Sequence, residues 1–266
     1  GQVDWSDQQG FDQAAAKVGI DPVEFRRRNY HPQEAYPLVT ASGYAMKRLS
    51  LDRCLDACAR LMDYDGLRAA QAAAREKGVW RGIGVANFVE AAAYGPVYYG
   101  PSGSRVSTQD GCTVKLEPSG VVRCMTSVTD QGQGTLTGIA QIVADQLGIG
   151  MADIDVISGD SATTPYGGGA WASRGMAMGG EAALQAGKAL KANILDLASS
   201  ILQTTAATLT LGGGEIRDAA TGEARMSLAE LARIGYFRQD TLPAGTQPEL
   251  MVTRHHVPST AYYLGC

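Results

Sequence analysis

Histidine is scarce in this chain: three in 266 residues, at His31, His255 and His256. The last two are neighbours in a stretch expected to be a strand, where successive side chains point to opposite faces, so they cannot easily chelate one ion. His31 precedes Pro32 in a loop. No Ser/His/Asp or Cys/His arrangement with workable spacing is present, which argues against the common nucleophilic triads. Cysteine offers little more. There are five, and although Cys54 and Cys58 sit i, i+4 on an expected helix, two further ligands at metal spacing are missing, so they read as small buried residues. Cys112 and Cys124 fall in neighbouring expected strands and could face one another as reduced thiols.

Long apolar runs are missing as well. No stretch of about eighteen apolar residues could span a bilayer, and no charged-then-apolar leader opens the chain, so a cytoplasmic location is the expectation, with a periplasmic one as the alternative because the true terminus is not in view. The chain opens on Gly-Gln without an initiator Met and closes on Leu264, Gly265 and Cys266, as expected of a piece of something longer. An excess of positive charge is also lacking: 23 Lys and Arg against 27 Asp and Glu give a formal net charge of −4. With no dense Lys/Arg cluster interleaved with aromatics, a nucleic-acid partner is not expected, and Arg26, Arg27 and Arg28 read as a solvated helix face or a subunit contact. At 45% apolar and 19% charged residues, the composition is that of a globular chain with a core for one or two domains.

What the chain has in quantity is glycine, gathered at two joints. Val121 to Val128 reads as a strand, and from Thr135 onward Leu136, Ile139, Ile142, Val143 and Leu147 recur at helical spacing until Gly148. Between them stand Gln131, Gly132, Gln133 and Gly134. Without Cβ atoms the two glycines let a ligand approach the backbone, and the first helical N–H groups can meet an anion. A tight turn whose amides only cap the helix is the competing reading. A phosphate-cradling P-loop is disfavoured, because Thr135 and Leu136 follow Gly134 where that motif needs Lys and then Ser or Thr. The second joint runs from Ser158 to Glu181. A strand at Ile154 to Ile157 enters it, Asp160, Ser161, Pro165 and Gly167 to Gly169 fold it, and a long helix from about Gly180 to Leu202 leaves it. If the two joints share one pocket, they should lie side by side with their helix starts converging.

Elsewhere the spacing predicts helices at Phe11 to Val18, from Pro22, at Leu51 to Met62 with Ser50 as N-cap, and at Gly66 to Lys77. Strands are expected at Gly82 to Val89, Gly111 to Glu117, Thr208 to Leu211, Glu215 to Asp218 and Glu249 to Val257, with a hairpin at Pro118-Ser119-Gly120 and a helix Leu228 to Ile234 capped by Ser227. Tyr94 to Ser104 has the Gly, Pro and Ser content of a long functional loop. Strands and helices mix without regular βαβ alternation, so the expected fold class is α+β, with mixed sheets and packed helices.

The stretch from Gly120 to Ala183 closely resembles the large, molybdopterin-binding subunit of the xanthine dehydrogenase, aldehyde oxidase and aerobic carbon monoxide dehydrogenase family. The motifs that carry the likeness are the Gln131-Gly132-Gln133-Gly134 turn, the Gly159-Asp160 step, the Pro165-Tyr166-Gly167 turn and the Ala172-Ser173-Arg174 step, in order. Gly19 to Asn29 and Arg81 to Ala92 are similar too, so the likeness covers nearly the whole chain. It implies a helical segment at 1–78 that continues from missing upstream sequence, and an α+β molybdopterin-binding domain at 79–266, incomplete at its C-terminus.

The implied activity is oxidation of an aldehyde or N-heterocycle with water as the oxygen source. The alternatives are a non-catalytic cofactor-binding or subunit-assembly module, or a piece of a carbon monoxide dehydrogenase large subunit. The implied cofactor is molybdenum-molybdopterin in its cytosine dinucleotide form. The implied partners are the remainder of the large subunit, and subunits or domains carrying 2Fe-2S clusters and FAD. By the same resemblance Gln133 hydrogen-bonds the pterin, the neighbouring Gln131, Gly132 and Gly134 help to hold it, and Ala172, Ser173, Arg174 and Gly175 lie against it. Gly175 stands where family members often carry Ser. Phe88 and Glu90 are placed toward the substrate, no side chain of the chain binds the metal directly, and the catalytic glutamate is expected beyond the C-terminus.

Overall fold

The computed structural model describes residues 5–39, 45–46, 48–99, 103, 105–258 and 262–264. They divide into two compact units, one drawn from Gly1–Ala92 and Tyr262–Cys266, the other from Ala93–Ala261.

The first unit holds α1 (Trp5–Val18), α2 (Pro22–Arg28), a short antiparallel pair β1 (Leu38–Val39) and β2 (Ala45–Met46), α3 (Leu51–Leu61), α4 (Tyr64–Glu76) and β3 (Glu90–Ala92), the last paired with Tyr262–Leu264. Helix α2 starts where it does because Pro22 fits the first helical turn and Asp21 accepts from the N–H groups of Val23 and Glu24 at 2.8 and 3.3 Å. Ser50 does precede α3, but its side chain makes no capping bond. Three sequence expectations are corrected here. Arg26 is not on a solvated face: it is 2% exposed and forks onto Asp12 at 2.7 Å, Gln8 and the carbonyl of Pro22, while Arg27 and Arg28 stay outside, paired with Glu24 and Asp56. Cys58 is exposed. Residues 82–89 form no strand; Gly82 and Gly84 weaken the extended run, and Asn87 ties it to the helices by donating to the Tyr30 hydroxyl at 2.7 Å and the Leu51 carbonyl at 3.0 Å.

The second unit runs α5 (Pro96–Tyr99), β4 (Asp110–Leu116), β5 (Val122–Thr126), α6 (Thr135–Leu147), β6 (Ile154–Ile157), α7 (Glu181–Leu202), β7 (Leu209–Gly212), β8 (Glu215–Asp218), β9 (Ala224–Ser227), α8 (Leu228–Phe237) and β10 (Met251–His256). Its main sheet has the order β10-β4-β5-β6, antiparallel except for β5 and β6, so β5, α6 and β6 form one crossover unit in an otherwise antiparallel sheet. Strands β7, β8 and β9 make a separate antiparallel meander. The alternate residues Cys112, Val114 and Leu116 of β4 are fully buried, and so are Ile139, Val143 and Leu147 of α6 and Leu190 and Ile194 of α7. Spacings of two on the strand and three or four on the helices thus feed one core. Within it the Cys112 and Cys124 sulfurs lie 3.3 Å apart as free thiols, and the hydrogen bond to Cys124 together with burial pushes the Cys112 thiol well above its ordinary value. Ser227 caps α8 as expected, accepting from Glu230 N–H at 3.1 Å. Among the described residues no helix is long and apolar enough to cross a membrane.

Candidate functional site

At the first joint the chain leaves β5 and is folded by its own side chains. Asp130 Oδ1 accepts from Gly132 N–H at 2.7 Å and Oδ2 from Leu136 N–H at 3.2 Å, bonds that hold its carboxyl below the usual carboxylate range. Gln133 Oε1 accepts from Gln131 N–H at 2.5 Å, and its Nε2 donates to the Thr129 carbonyl at 3.3 Å. Two N–H groups that the sequence reading left open, one in the turn and one in the first turn of α6, are therefore met by Asp130. The turn still presents open backbone. Gly132 and Gly134 have φ values of +99° and +79°, the left-handed region that favours glycine, and nothing lies within 4 Å of where their Cβ atoms would be.

The second joint is tighter. Asp160 starts it by accepting from Ala162 N–H and the Thr163 hydroxyl, each at 2.9 Å. Gly167 and Gly168 are glycines for packing: a Cβ on Gly167 would collide with Ser127 Oγ and Asp110 Oδ1, and one on Gly168 with the Arg174 guanidinium. Gly169 differs, with φ +74° and open space beside it. Ala172 and Ser173 then take left-handed φ values of +48° and +52°, a strained pair for residues with side chains. A π-helical turn over Gly175–Gly180 leads into α7.

Arg174 is 1% exposed and lies in a cage. Its Nε donates to Asp110 Oδ2 at 2.8 Å, Nη1 to the Ser107 carbonyl at 2.6 Å and Nη2 to the Gln109 carbonyl at 2.8 Å, while Nη2 also stands in ion-pair contact with Asp110 Oδ2 at 2.7 Å. Its charge also sits 5.1 Å from the centre of the Trp171 ring, and Trp171 donates to the Gly168 carbonyl at 2.9 Å. Among the described residues every buried polar side-chain atom has a partner. Removing one member of such a buried pair costs about 3–5 kcal/mol, because the other is left charged and unpaired.

The two joints meet. Gln131 Nε2 donates to the Ala170 carbonyl at 3.3 Å, and the Cβ position of Gly175 is 3.1 Å from Thr135 Oγ1 at the start of α6. The structure thus brings Gln131, Gly132, Gln133 and Gly134 together with the segment Ala172, Ser173, Arg174 and Gly175. It places Arg174 under the turn as its anchor, with the guanidinium turned onto protein groups. Phe88 is 46% exposed and belongs to the first unit, where it borders a hollow of about 650 Å³ with Phe11, Phe25 and Tyr30. The Glu90 side chain lies outside the described residues. Among the described residues no group of three or more His, Cys, Asp or Glu could hold a metal ion. Sequence reasoning missed Asp130 and Asp110. The Asp-x-Gly pattern of Asp130 to Gly132, a side-chain-closed turn, was the available signal for the first; Asp110, at a strand start, carried none.

Two adjacent strand-turn-helix joints with glycine edges open to approach are suited to an organic ligand held through backbone and amide groups, and the fold is that of an α+β ligand-binding domain. The chain belongs to the molybdopterin cofactor-binding domain family, whose model matches residues 57–264. It is 30% identical over 244 residues to the nicotine 6-hydroxylase large subunit of Paenarthrobacter nicotinovorans, covering 92% of this chain and 30% of that protein. It is 29% identical over 259 residues to the carbon monoxide dehydrogenase large chain of Hydrogenophaga pseudoflava, covering 95% and 31%. The solved structure of quinoline 2-oxidoreductase from Pseudomonas putida 86 superposes with a TM-score of 0.77 at 29% identity, over 97% of this chain and 33% of that one. The chain therefore spans about a third of the length of the relatives it matches.

Proposed function

We propose that this chain is part of the molybdenum-cofactor-binding subunit of a cytoplasmic molybdenum hydroxylase that oxidises an aldehyde or N-heterocyclic substrate with water as the oxygen source. The observation that carries the proposal is the meeting of the two glycine-rich joints, bridged by Gln131 and the Ala170 carbonyl, in a chain of the molybdopterin-binding family. Nicotine and quinoline, in the names of two relatives, are both N-heterocycles and favour that substrate class.

The residues present fit the cofactor. The edges of Gly132, Gly134 and Gly169 are bare and open, so a flat ring or a phosphate can reach the backbone beside them. Gln131 and Gln133 supply amide groups at the same rim, with Gln133 assigned to the pterin. The left-handed Ala172 and Ser173 turn the chain into the helical start at Gly175, whose first N–H groups suit an oxygen anion. Arg174 secures this wall from behind. When bound, the molybdenum cofactor supplies the oxygen-transfer and electron-accepting chemistry; the protein binds and orients it. In this reading the pterin is the cytosine dinucleotide form, Phe88 and Glu90 face the substrate, and no residue of this chain is the general base. Two relatives are named as a large subunit and a large chain, which fits partner subunits carrying iron–sulfur clusters and FAD.

Gly134→Asn tests the assignment in the full-length protein. Asparagine tolerates the left-handed backbone of Gly134, at φ 79° and ψ 21°, and its side chain would project into the open space where the cofactor is placed. Releasable pterin per folded chain should fall at least about tenfold, a loss of about 1.4 kcal/mol in binding, with the melting temperature nearly unchanged. Undiminished pterin in the folded variant would contradict the assignment.

A further inference from the structure

We infer that Asp110 is a positioning residue that sets the spacing between the two turns; this rests on the assignment of those turns to the cofactor. Asp110 begins β4, an interior strand of the main sheet, and is 0% exposed. Both of its carboxylate oxygens are taken. Oδ1 accepts from Ser127 Oγ at 2.8 Å and from Gly168 N–H at 2.9 Å. Oδ2 accepts from Arg174 Nε at 2.8 Å, with Nη2 of the same guanidinium in ion-pair contact at 2.7 Å. Ser127 stands where β5 runs out into the first turn and in addition accepts from Gly111 N–H at 2.9 Å. Gly168 lies inside the second turn, and Arg174 closes it. One carboxylate fixed to the sheet therefore holds three points on two segments that are far apart in sequence.

Chemistry and sterics at this position are specific. A carboxylate only accepts, so it can serve three donors and the Arg174 charge at once; an asparagine would turn an NH₂ group toward donors on one side or the other. The neighbouring backbone is matched to it, since Gly167 and Gly168 lack the Cβ atoms that would collide with Asp110, Ser127 and Arg174. The strained Ala172 and Ser173 lie between two of the held points, Gly168 and Arg174, which explains how a left-handed pair persists there. Asp110 touches no open edge of the site itself. It acts through the spacing of Gly132 and Gly134 from Gly169 and Gly175.

The test is amide hydrogen exchange on the full-length, cofactor-loaded protein and its Asp110→Asn variant, with the pterin release rate measured on the same samples. The expected result is exchange at least about tenfold faster in both 129–136 and 166–176, with β7 to β9 and α8 unchanged, and pterin release faster by a similar factor. Faster exchange in the second turn alone overturns the proposal, because Asp110 is then only the counter-ion of Arg174. Exchange unchanged in both turns overturns it too. If both turns loosen while pterin release stays the same, the coupling stands and the assignment of the turns to the cofactor fails. Should Asp110→Asn not fold, Ser127→Ala removes the link to the first turn together with the acceptor of Gly111 N–H: faster exchange in 129–136 and at Gly111, with 166–176 unchanged, supports the proposal, and no change in 129–136 overturns it.

Discussion

At Asp130 one carboxylate both closes the first turn and starts α6, through Gly132 N–H at 2.7 Å and Leu136 N–H at 3.2 Å. Those N–H bonds favour its charged form and depress its folded-state value. The stability it contributes is therefore fully present above the unfolded value of about 3.9 and is lost as pH falls below that, through the folded value. An NMR titration of the Asp130 carboxyl should give a midpoint below that ordinary value, and Gly132 N–H exchange should accelerate over the same acid range; a midpoint at or above it would contradict the geometry. The sequence made the glycine and glutamine positions legible because a strand pattern stops and a helical one begins around them. It missed Asp130 because the open N–H groups of the helix start were reserved for a ligand, when a short acidic side chain nearby can reach them first.

Among the elements, the π-helical turn before α7 is held close to α6 and to the chain leaving β5 by absent side chains. A Cβ on Gly179 would come within 2.6 Å of the buried Val128, and one on Gly138 within 2.8 Å of the Met176 sulfur. Gly179→Ala should therefore overpack the core and cost about 1–3 kcal/mol in urea unfolding. Gly187→Ala meets Gln146 Cβ at 3.2 Å and gains helix propensity, so it should fall within about 1 kcal/mol of zero. Equal costs, or the reverse order, would show that the glycines of the π-helical turn and α7 are not sorted by packing as described. Helices α6 and α7 and the β4–β5 hairpin were legible because periodicity and the turn at Pro118-Ser119-Gly120 are local signals. The π-helical turn before α7 was not, since Gly175, Gly179 and Gly180 made the stretch read as the end of the glycine-rich joint, with the helix starting at about Gly180. Residues 82–89 misled for the opposite reason: their alternation suits a strand, but the segment is tied down by Asn87 to helical neighbours.

On the scale of the molecule, what the sequence could not show is which distant segments meet. Strand β10 closes the main sheet beside β4, where the hydroxyls of Thr113 and Thr253, 140 residues apart, lie at 2.7 Å. Arg174 finds Asp110 across 64 residues. Neither pairing leaves a periodic trace, because long-range contacts are chosen by shape and charge after local structure forms. The resemblance of the two glycine-rich segments to one family nonetheless anticipated that they would be neighbours, and they are. The most direct measurement of the central claim is a crystal structure of the full-length protein with its cofactor. The account predicts the pterin cofactor within hydrogen-bonding distance, about 3 Å, of backbone or amide groups of both Gln131–Gly134 and Gly169–Gly175. A cofactor held elsewhere, with both turns facing solvent or unrelated protein, would contradict it.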